Sequence, residues 1–501
     1  MPTNRPLGPL LALTALIALP LVPPAAPAAA LLRIAPAAGR PIVLKECRLT
    51  PPGGAASVPA RCGHLDVAED PADPTGRRIS LAVAVVPALD VRSHQPPLFV
   101  VAGGPGQSAS DFYSGYFVAF APVARTRAIV LVDQRGTGGS NRLSCDFPDD
   151  FDVVAPPPEV IRDLSRKCRE RLAGRPEFYT SSVAIRDLDA VRSALGYERI
   201  ALYGVSYGTR VVEHYLRHYP THAAAVVLDG VMQPDRPLGA ETPLDAERAL
   251  DIMFARCQAT PSCESAFPDL ARRFRQVLAK LAAHPHTVSV PDPTTGAARS
   301  VVFDRQQFTG AVRLLNYYSF TTALLPLFID RASKDDYAPL ASELLLMSGN
   351  LDEQLAYGMN AAVACAEDVT DYGSVDRRAL ERTYLGATQL DELATLCEDW
   401  PRGVVDPDLF APLHATVPAL LLSGEADPVT PPSSAARAAQ GFSDVLNIVV
   451  AGQGHGQLSV GCAPWLIARF LNAGTTHGLD ASCLKSVIAE PFVLGPTGPA
   501  P

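Results

Sequence analysis

Arg199-Ile-Ala-Leu-Tyr203 runs into Gly204-Val205-Ser206-Tyr207-Gly208 and then into the helix-like stretch Thr209 to Tyr219. An apolar strand, a five-residue G-x-S-x-G turn and a helix in immediate succession make a nucleophile elbow, which presents the Ser206 hydroxyl at the end of a sheet where it can attack a carbonyl. The two glycines have a steric reason: in so tight a turn, only residues without a Cβ let strand, turn and helix approach each other. The pattern alone also fits an ordinary strand-to-helix turn with a spectator serine, so the decision rests on whether the chain supplies the partners such a serine needs.

A hydroxyl is a poor nucleophile near neutral pH without a general base. In elbows of this kind the orienting acid and then the histidine follow the serine, each on a loop after a late strand. Two segments fit. Val417-Pro-Ala-Leu-Leu-Leu-Ser423 reads as a buried strand and opens onto Gly424-Glu425-Ala426-Asp427-Pro428-Val429-Thr430-Pro431, which carries two carboxylates. Asp427 is the candidate acid and Glu425 the fallback. Leu446-Asn-Ile-Val-Val450 is a short strand opening onto Ala451-Gly452-Gln453-Gly454-His455-Gly456, which makes His455 the candidate base. The chain has ten histidines, and the others sit in blander places. His214, His218 and His222 fall on or just after the elbow helix, His284 and His286 in a Pro-flanked turn, His414 before a strand, and His477 after a helix-like stretch. In this scheme Asp427 holds the imidazole tautomer and stabilises the imidazolium without taking its proton. For the oxyanion, the strand Pro97 to Ala102 ends in Gly103-Gly104-Pro105-Gly106. Pro105 has no N–H, so Gly104 is the candidate donor, with the N–H of Tyr207 as the second.

Gly103-Gly-Pro-Gly106, Asp133-Gln-Arg-Gly-Thr-Gly-Gly-Ser140 after the strand Ala128 to Val132, the elbow, the Gly424-x-x-Asp427 turn and the Gly454-His455 loop together resemble the proline iminopeptidase and tripeptidyl aminopeptidase group of α/β-hydrolases. The likeness spans about residues 45 to 485. Proline iminopeptidases carry a histidine before the Gly-Gly-Pro-Gly turn and usually a tryptophan after the nucleophile; here those positions are Ala102 and Tyr207. With an export signal and many cysteines, the chain is more similar to the secreted tripeptidyl aminopeptidase branch. The resemblance implies an α/β-hydrolase fold, with a mostly parallel sheet covered on both faces by helices and an inserted helical cap. It also implies a peptide substrate with a free N-terminus, recognised by acidic cap residues.

At 501 residues and 48% hydrophobic, the chain can bury a large core and exceeds one ordinary domain. Strands near 98, 128, 200 and 225 alternate with helical stretches such as Ile185 to Leu195, as in a mostly parallel sheet. Leu32 to Arg78 is Pro- and Gly-rich and reads as an entry segment, followed by a strand from Ile79 to Pro87. From about Gln233 to Asp406 the pattern turns mainly helical, for example over Glu247 to Arg256, Leu270 to Ala283 and Phe308 to Leu315. Because the elbow precedes this block and the acid and histidine follow it, the block is expected to cap the active site. The expected division is a signal peptide over 1–30, core over 31–232, cap over 233–406, core again over 407–490, and a disordered tail over 491–501.

The first thirty residues hold one charge, Arg5, then the apolar run Leu7 to Val22 and Pro23-Pro-Ala-Ala-Pro-Ala-Ala-Ala30. These are the parts of a cleavable signal peptide, with cleavage near Ala28 to Ala30 and a secreted or periplasmic product. The run is short for a membrane anchor and ends in prolines. Losing Arg5 with the signal moves the net charge from −9 to −10, which argues against nucleic acid or an anionic membrane as a partner. The ten cysteines of an exported chain imply disulfides. Roughly 945 pairings are possible, so connectivity does not follow from the count. Spacing and locality favour sequential neighbours: Cys47 with Cys62, Cys145 with Cys168, Cys257 with Cys263, Cys365 with Cys397, and Cys462 with Cys483. Cys257-x5-Cys263 does not have a zinc-ligand spacing, and neither a metal nor an organic cofactor is expected.

An exopeptidase must recognise a cationic α-amine, for which a carboxylate is the direct means. Glu367, in Cys365-Ala366-Glu367-Asp368, is the candidate anchor; the bland alternative is a solvated acidic turn. Asn316-Tyr317-Tyr318-Ser319-Phe320 fits either an apolar subsite or plain core. The expected function is a secreted serine exopeptidase that releases N-terminal residues or short peptides through an acyl-enzyme at Ser206. The same residues serve a carboxylesterase acting on small esters, and a non-catalytic binding protein on a hydrolase fold is the third reading.

Overall fold

Among the described residues of the computed structural model, nine strands make one sheet, in the order β1-β2-β3-β5-β4-β6-β7-β10-β11. They are β1 (Lys45–Leu49), β2 (Val58–Ala68), β3 (Arg78–Val86), β4 (Leu98–Val101), β5 (Ile129–Val132), β6 (Ile200–Val205), β7 (Ala223–Asp229), β10 (Ala419–Gly424) and β11 (Val445–Val450). The hairpin β8 (His286–Pro291) and β9 (Ala298–Phe303) is separate. The structure describes residues 41–51, 54, 57–145, 156–233, 235–293, 295–495 and 497–499. The expected export signal lies outside the described residues.

From β5 to β11 the strands pair in parallel. Parallel strands are covered on both faces, which is why β4, β5, β6 and β10 are apolar runs buried at every position. One face packs on helices α3 (Ser181–Ala194) and α4 (Tyr207–His218), through residues such as Ile185, Val191, Val211 and Tyr215. The other packs on α1 (Ala109–Ala124) and the helix Ala463–Ala473, through Phe112, Phe120, Ile467 and Phe470. Among the described residues, the remaining α-helix before the elbow is α2 (Pro158–Arg171).

The entry segment differs from its reading. Lys45 to Ala68 is an antiparallel pair, β1 with β2, tied by Cys47–Cys62. The signal was the short alternation of buried Val58 and Ala60 with exposed Pro59 and Arg61, obscured by the prolines and glycines around it. The tail also differs: Val493–Gly495 pairs with Gly498–Pro499, and Phe492 is buried in the core of the inserted block, which gives this Pro-rich end something to pack on. All five cysteine pairs join sequential neighbours.

Between Asp229 and Ala419 the chain makes mainly helices, including Thr242–Ala259, Leu270–Ala283, Arg305–Leu315 and Ala338–Gln354, with the β8–β9 hairpin among them. This block has its own core, built around Leu250, Phe274, Phe303, Phe308 and Leu325. Each large side chain so buried contributes about 1.5–3 kcal/mol before the entropy of ordering it is counted.

The strand order fixes where a site can form. β4 lies between β5 and β6, so the chain leaves β4 toward one side of the sheet and returns on the other. The crevice outside the carboxyl ends of the strands at such a reversal is open to ligands. Gly103 follows β4 there, and Ser206 follows β6.

Candidate active site

Ser206 sits at φ 54° and ψ −125°, in a region that side chains other than glycine rarely occupy. Holding it there costs of order 1–3 kcal/mol, offset by packing around the turn. A Cβ on Gly204 would lie 2.6 Å from the Gly208 carbonyl oxygen, and one on Gly208 would lie 2.3 Å from that of Val101. The glycines of the elbow are therefore required by close approach. The Ser206 N–H donates to the Asp229 carbonyl (2.9 Å), which ties the turn to the end of β7.

Asp427 follows β10 and is fully buried. It accepts from the N–H of Val429 (2.9 Å) and of Thr430 (2.8 Å), and from Thr430 Oγ1 (2.7 Å). Its Oδ2 is 2.8 Å from Nδ1 of His455, on the loop after β11. Burial alone would raise the Asp427 pKa, but the charge and hydrogen bond of His455 and the Thr430 donors outweigh it and hold the carboxyl below its ordinary range. For His455, burial opposes the charge while Asp427, and then Asp229, favour it; the pKa ends above the ordinary imidazole value. Glu425 stands apart, accepting from the Gly452 N–H (2.9 Å) at an exposed position.

His455 is close to the elbow. A Cβ on Gly230, the residue after Asp229, would lie 2.9 Å from His455 Cε1. No hydrogen bond joins Ser206 Oγ to the imidazole among the described residues; in unliganded sites this contact is often long and closes with substrate. On the other side of Ser206, a Cβ on Gly103 would lie 3.1 Å from Ser206 Cβ and 3.7 Å from Oγ. Gly104 follows at φ 106°, open only to glycine. Tyr207 is the first residue of α4, so its N–H has no acceptor within the helix.

Glu367 does not fit an amine anchor. It lies in the π-helical turn Ala364–Asp368 with both oxygens engaged: Oε1 accepts from the Ser181 N–H (2.6 Å), and Oε2 accepts from Ser181 Oγ (2.8 Å) and faces Arg210 Nη1 (3.3 Å). Asp368 takes the other end of the same guanidinium at 2.8 Å. Burial pushes Glu367 up to about 7 against the pull of Arg210. The pair braces the elbow helix: Ser181 Oγ is 2.8 Å from the Tyr207 hydroxyl, which also accepts from Gln134 (3.0 Å). The Asp133–Ser140 motif is likewise structural. Asp133 accepts from the N–H of Ser110 and of Gly139 (both 3.0 Å), and Arg135 forks onto Asp187 at 2.6 and 2.8 Å.

Three features escaped the sequence reading. Asp229, buried at the end of β7, accepts from Tyr203 and from the Gln457 N–H (both 2.7 Å), and burial raises it to about 6. Its position as the last residue of a buried strand, beside the elbow, was a usable signal. Thr430 completes the Asp427 cradle. The inserted block reaches the loops directly: the Tyr317 carbonyl accepts from the His455 N–H (2.6 Å), Asn360 donates to the Pro105 carbonyl (2.9 Å), and Arg248 donates to the carbonyls of Glu425 and Asp427 (both 2.7 Å). The Tyr317 ring stands edge-on to His455 with centroids 5.7 Å apart, so the aromatic segment adjoins the site.

Residues 96–461 match the α/β hydrolase fold family. The chain belongs to that family. The hydrolase is similar to the tripeptidyl aminopeptidase of Streptomyces lividans, 33% identical over 196 residues; the match covers 36% of each chain, so it spans about a third of that relative. It is 26% identical over 485 residues to the serine protease Hip1 of Mycobacterium tuberculosis (strain ATCC 25618 / H37Rv), covering 89% of the hydrolase and 92% of Hip1. Carboxylesterase B of the same organism is 28% identical over 276 residues, covering 48% of the hydrolase and 52% of the esterase. Among solved structures, proline iminopeptidase of Mycobacterium smegmatis aligns at a TM-score of 0.41 and 16% identity, over 82% of the hydrolase and 98% of that chain. A hydroxyl, a buried carboxylate and an imidazole in this sequence order, beside backbone N–H donors, is an arrangement able to carry out acyl transfer. Five disulfides suit an oxidising compartment, and no described helix is long and apolar enough to cross a membrane.

Proposed function

We propose that the hydrolase is an exported serine exopeptidase that removes N-terminal residues or short peptides through an acyl-enzyme. The observation that carries this reading is the 2.8 Å contact of His455 Nδ1 with buried Asp427, on loops that converge on the Ser206 elbow. His455 takes the Ser206 proton as the hydroxyl attacks the scissile carbonyl, with the oxyanion received by the N–H groups of Gly104 and Tyr207. The imidazolium then gives that proton to the leaving amine, and water, activated by the same histidine, hydrolyses the ester. The relatives named for aminopeptidase and protease activity support a peptide substrate. The putting-together of an export signal with five disulfides supports action outside the cytoplasm.

The amine must then meet a carboxylate other than Glu367. Asp245, on Thr242–Ala259, is half-buried and has no hydrogen-bond or ion-pair partner among the described residues. It lies one helical turn before Arg248, which holds the Asp427 loop; burial, with the Asp427 charge adding to it against the pull of Arg248, raises its pKa to about 7. A half-buried carboxyl group of the inserted block near the Asp427 loop suits a free α-amine. The test compares tripeptidyl amides with free and acetylated N-termini. The exopeptidase reading expects a large loss of kcat/KM on acetylation and, in Asp245→Asn, a raised KM for free amines only. Equal rates on both substrates sink it. They would favour the second reading, a carboxylesterase, which the likeness to carboxylesterase B supports. Fluorophosphonate labelling that is absent from the wild type would leave a non-catalytic binding protein.

A further inference from the structure

At the far end of the elbow helix, four side chains of metal-binding type converge. His214 and His218 are four residues apart on α4 and share a face. The segment leaving the inserted block lays Asp406 and Asp408 against that face. One donor atom from each of the four lies within 4.8 Å of the other three. His214 Nε2 is 3.3 Å from Asp406 Oδ2, and His218 Nε2 is 3.2 Å from Asp408 Oδ1 and 3.7 Å from Asp406 Oδ2.

We propose that these four residues bind a zinc-class divalent cation that pins segment 406–408 to α4. A tetrahedral site with ligands at about 2.0–2.2 Å places its donors about 3.3–3.6 Å apart, so side-chain shifts of about 1 Å or less close this cluster on an ion. Two imidazoles with two carboxylates form a donor set that selects zinc or its neighbours over calcium and magnesium. The charge is right as well. Arg186 Nη2 takes Asp406 Oδ1 at 2.7 Å, which leaves Oδ2 turned to the histidines, and two carboxylates brought to one point repel unless a cation lies between them. The Arg217 guanidinium is engaged elsewhere, on the Ala411 carbonyl at 2.6 and 3.0 Å.

The backbone under the cluster is already fixed. Asp406 N–H donates to Ser182 Oγ (2.9 Å) and Thr180 Oγ1 to the Val404 carbonyl (2.6 Å), so little ordering remains for the ion to impose. His214 is fully buried, while His218 and Asp408, at 23% and 43% side-chain exposure, leave a way in. At 1.5 Å per residue the two histidines lie about 10–17 Å along the helix from the Ser206 end, too far to act on a bond at Ser206, so the role is structural.

The experiment strips the full chain with a chelator and titrates it with Zn²⁺ by calorimetry, with Co²⁺ absorption as a second readout. One equivalent should bind, giving a tetrahedral Co²⁺ spectrum and, at a hundredfold excess over Kd, a midpoint rise of about 3 °C. His218→Ala and Asp408→Ala, both at partly exposed positions, should each weaken binding by about 100-fold or more and cancel the midpoint rise, while ester turnover by the metal-free enzyme stays at the wild-type level. Zinc binding unchanged in both variants would place the ion elsewhere and overturn the proposal. So would equal binding of Ca²⁺ or Mg²⁺, or a wild-type protein showing neither heat nor a cobalt band. Should either variant fail to fold, the wild-type cobalt spectrum still decides, since an octahedral or absent band rejects this donor set.

Discussion

Around Ser206 the chain is held by backbone: parallel strands buried on both faces, glycines whose missing Cβ atoms leave room for neighbouring carbonyls, and N–H groups aimed at Asp427 and at the Asp229 carbonyl. The block between Asp229 and Ala419 is held by side chains instead, around Phe274, Phe303 and Phe308, and it meets the loops through scattered hydrogen bonds from Arg248, Tyr317, Ser319, Ala356 and Asn360. Backbone-determined geometry leaves little freedom at the reacting atoms. A side-chain-determined block can change its lining residues without moving the chemistry beneath it. The contrast predicts two kinds of mutational response: changes at the loops abolish turnover of every substrate, and changes at the block alter which substrate is turned over.

The sharpest way to break that contrast is Ser206→Ala. It should lower kcat by about 10^6-fold on peptides and esters alike and remove fluorophosphonate labelling. Ser206→Gly should be equally inactive but more heat-stable than the alanine variant, because only glycine relieves φ 54°. Residual turnover within about tenfold of wild type would move the nucleophile elsewhere.

Asp427→Asn comes next, with an expected loss of about 10^4-fold in kcat as the histidine loses its oriented tautomer. Glu425→Gln should stay near wild type, since that carboxylate contacts only the Gly452 N–H. A reversal of the two results would give Glu425 the orienting role and separate the hydrogen-bond geometry from the chemistry.

At the block, Asn360→Ala removes the donor to the Pro105 carbonyl, beside Gly104. A lost hydrogen bond of about 1–1.5 kcal/mol should cost peptide kcat/KM about 5–10-fold, mostly through KM, and leave a small acetate ester nearly unaffected. An equal loss on both substrates would mean that the contact shapes the oxyanion loop itself and that the two regions are less independent than their construction implies.

This division also explains what the sequence disclosed. The placement of Ser206, Asp427, His455 and Gly104 just past strand ends was legible because each stands where an apolar strand gives way to a glycine-bearing loop, a pattern contained within about ten residues of chain. The cysteine pairs were legible because all are local. Glu367 was misread because its partners, Ser181 and Arg210, lie 186 and 157 residues away, and no local pattern distinguishes a carboxylate that braces a helix from one that binds an amine. Asn316 to Phe320 stayed ambiguous for the same reason: helical spacing says which residues share a face, and only the fold says that the Tyr317 ring packs against His455. Asp229 was passed over inside the apolar run Val226 to Val231, where the eye follows hydrophobicity and a single acid looks incidental.

Asp229 supplies the finest test, because it belongs to the backbone-built region yet acts through charge. Its carboxylate raises the His455 pKa along with Asp427, while its own pKa of about 6 reflects burial only partly offset by Tyr203 and the Gln457 N–H. The imidazole must be neutral to take the Ser206 proton, so kcat/KM rises with pH through the free-enzyme His455 pKa, which lies above the ordinary 6.5. Removing the negative charge in Asp229→Asn makes the imidazolium easier to deprotonate, and the acid limb should therefore move to lower pH with the plateau nearly unchanged. Because Asp229 and His455 each favour the other's charge, the wild-type limb reports both groups, and the variant should fit a single proton. A limb that moves to higher pH would reverse the sign of the interaction. An unmoved limb with a lowered plateau would instead make Asp229 a positioning residue that acts through its Gln457 hydrogen bond, holding the His455 loop by geometry rather than by field.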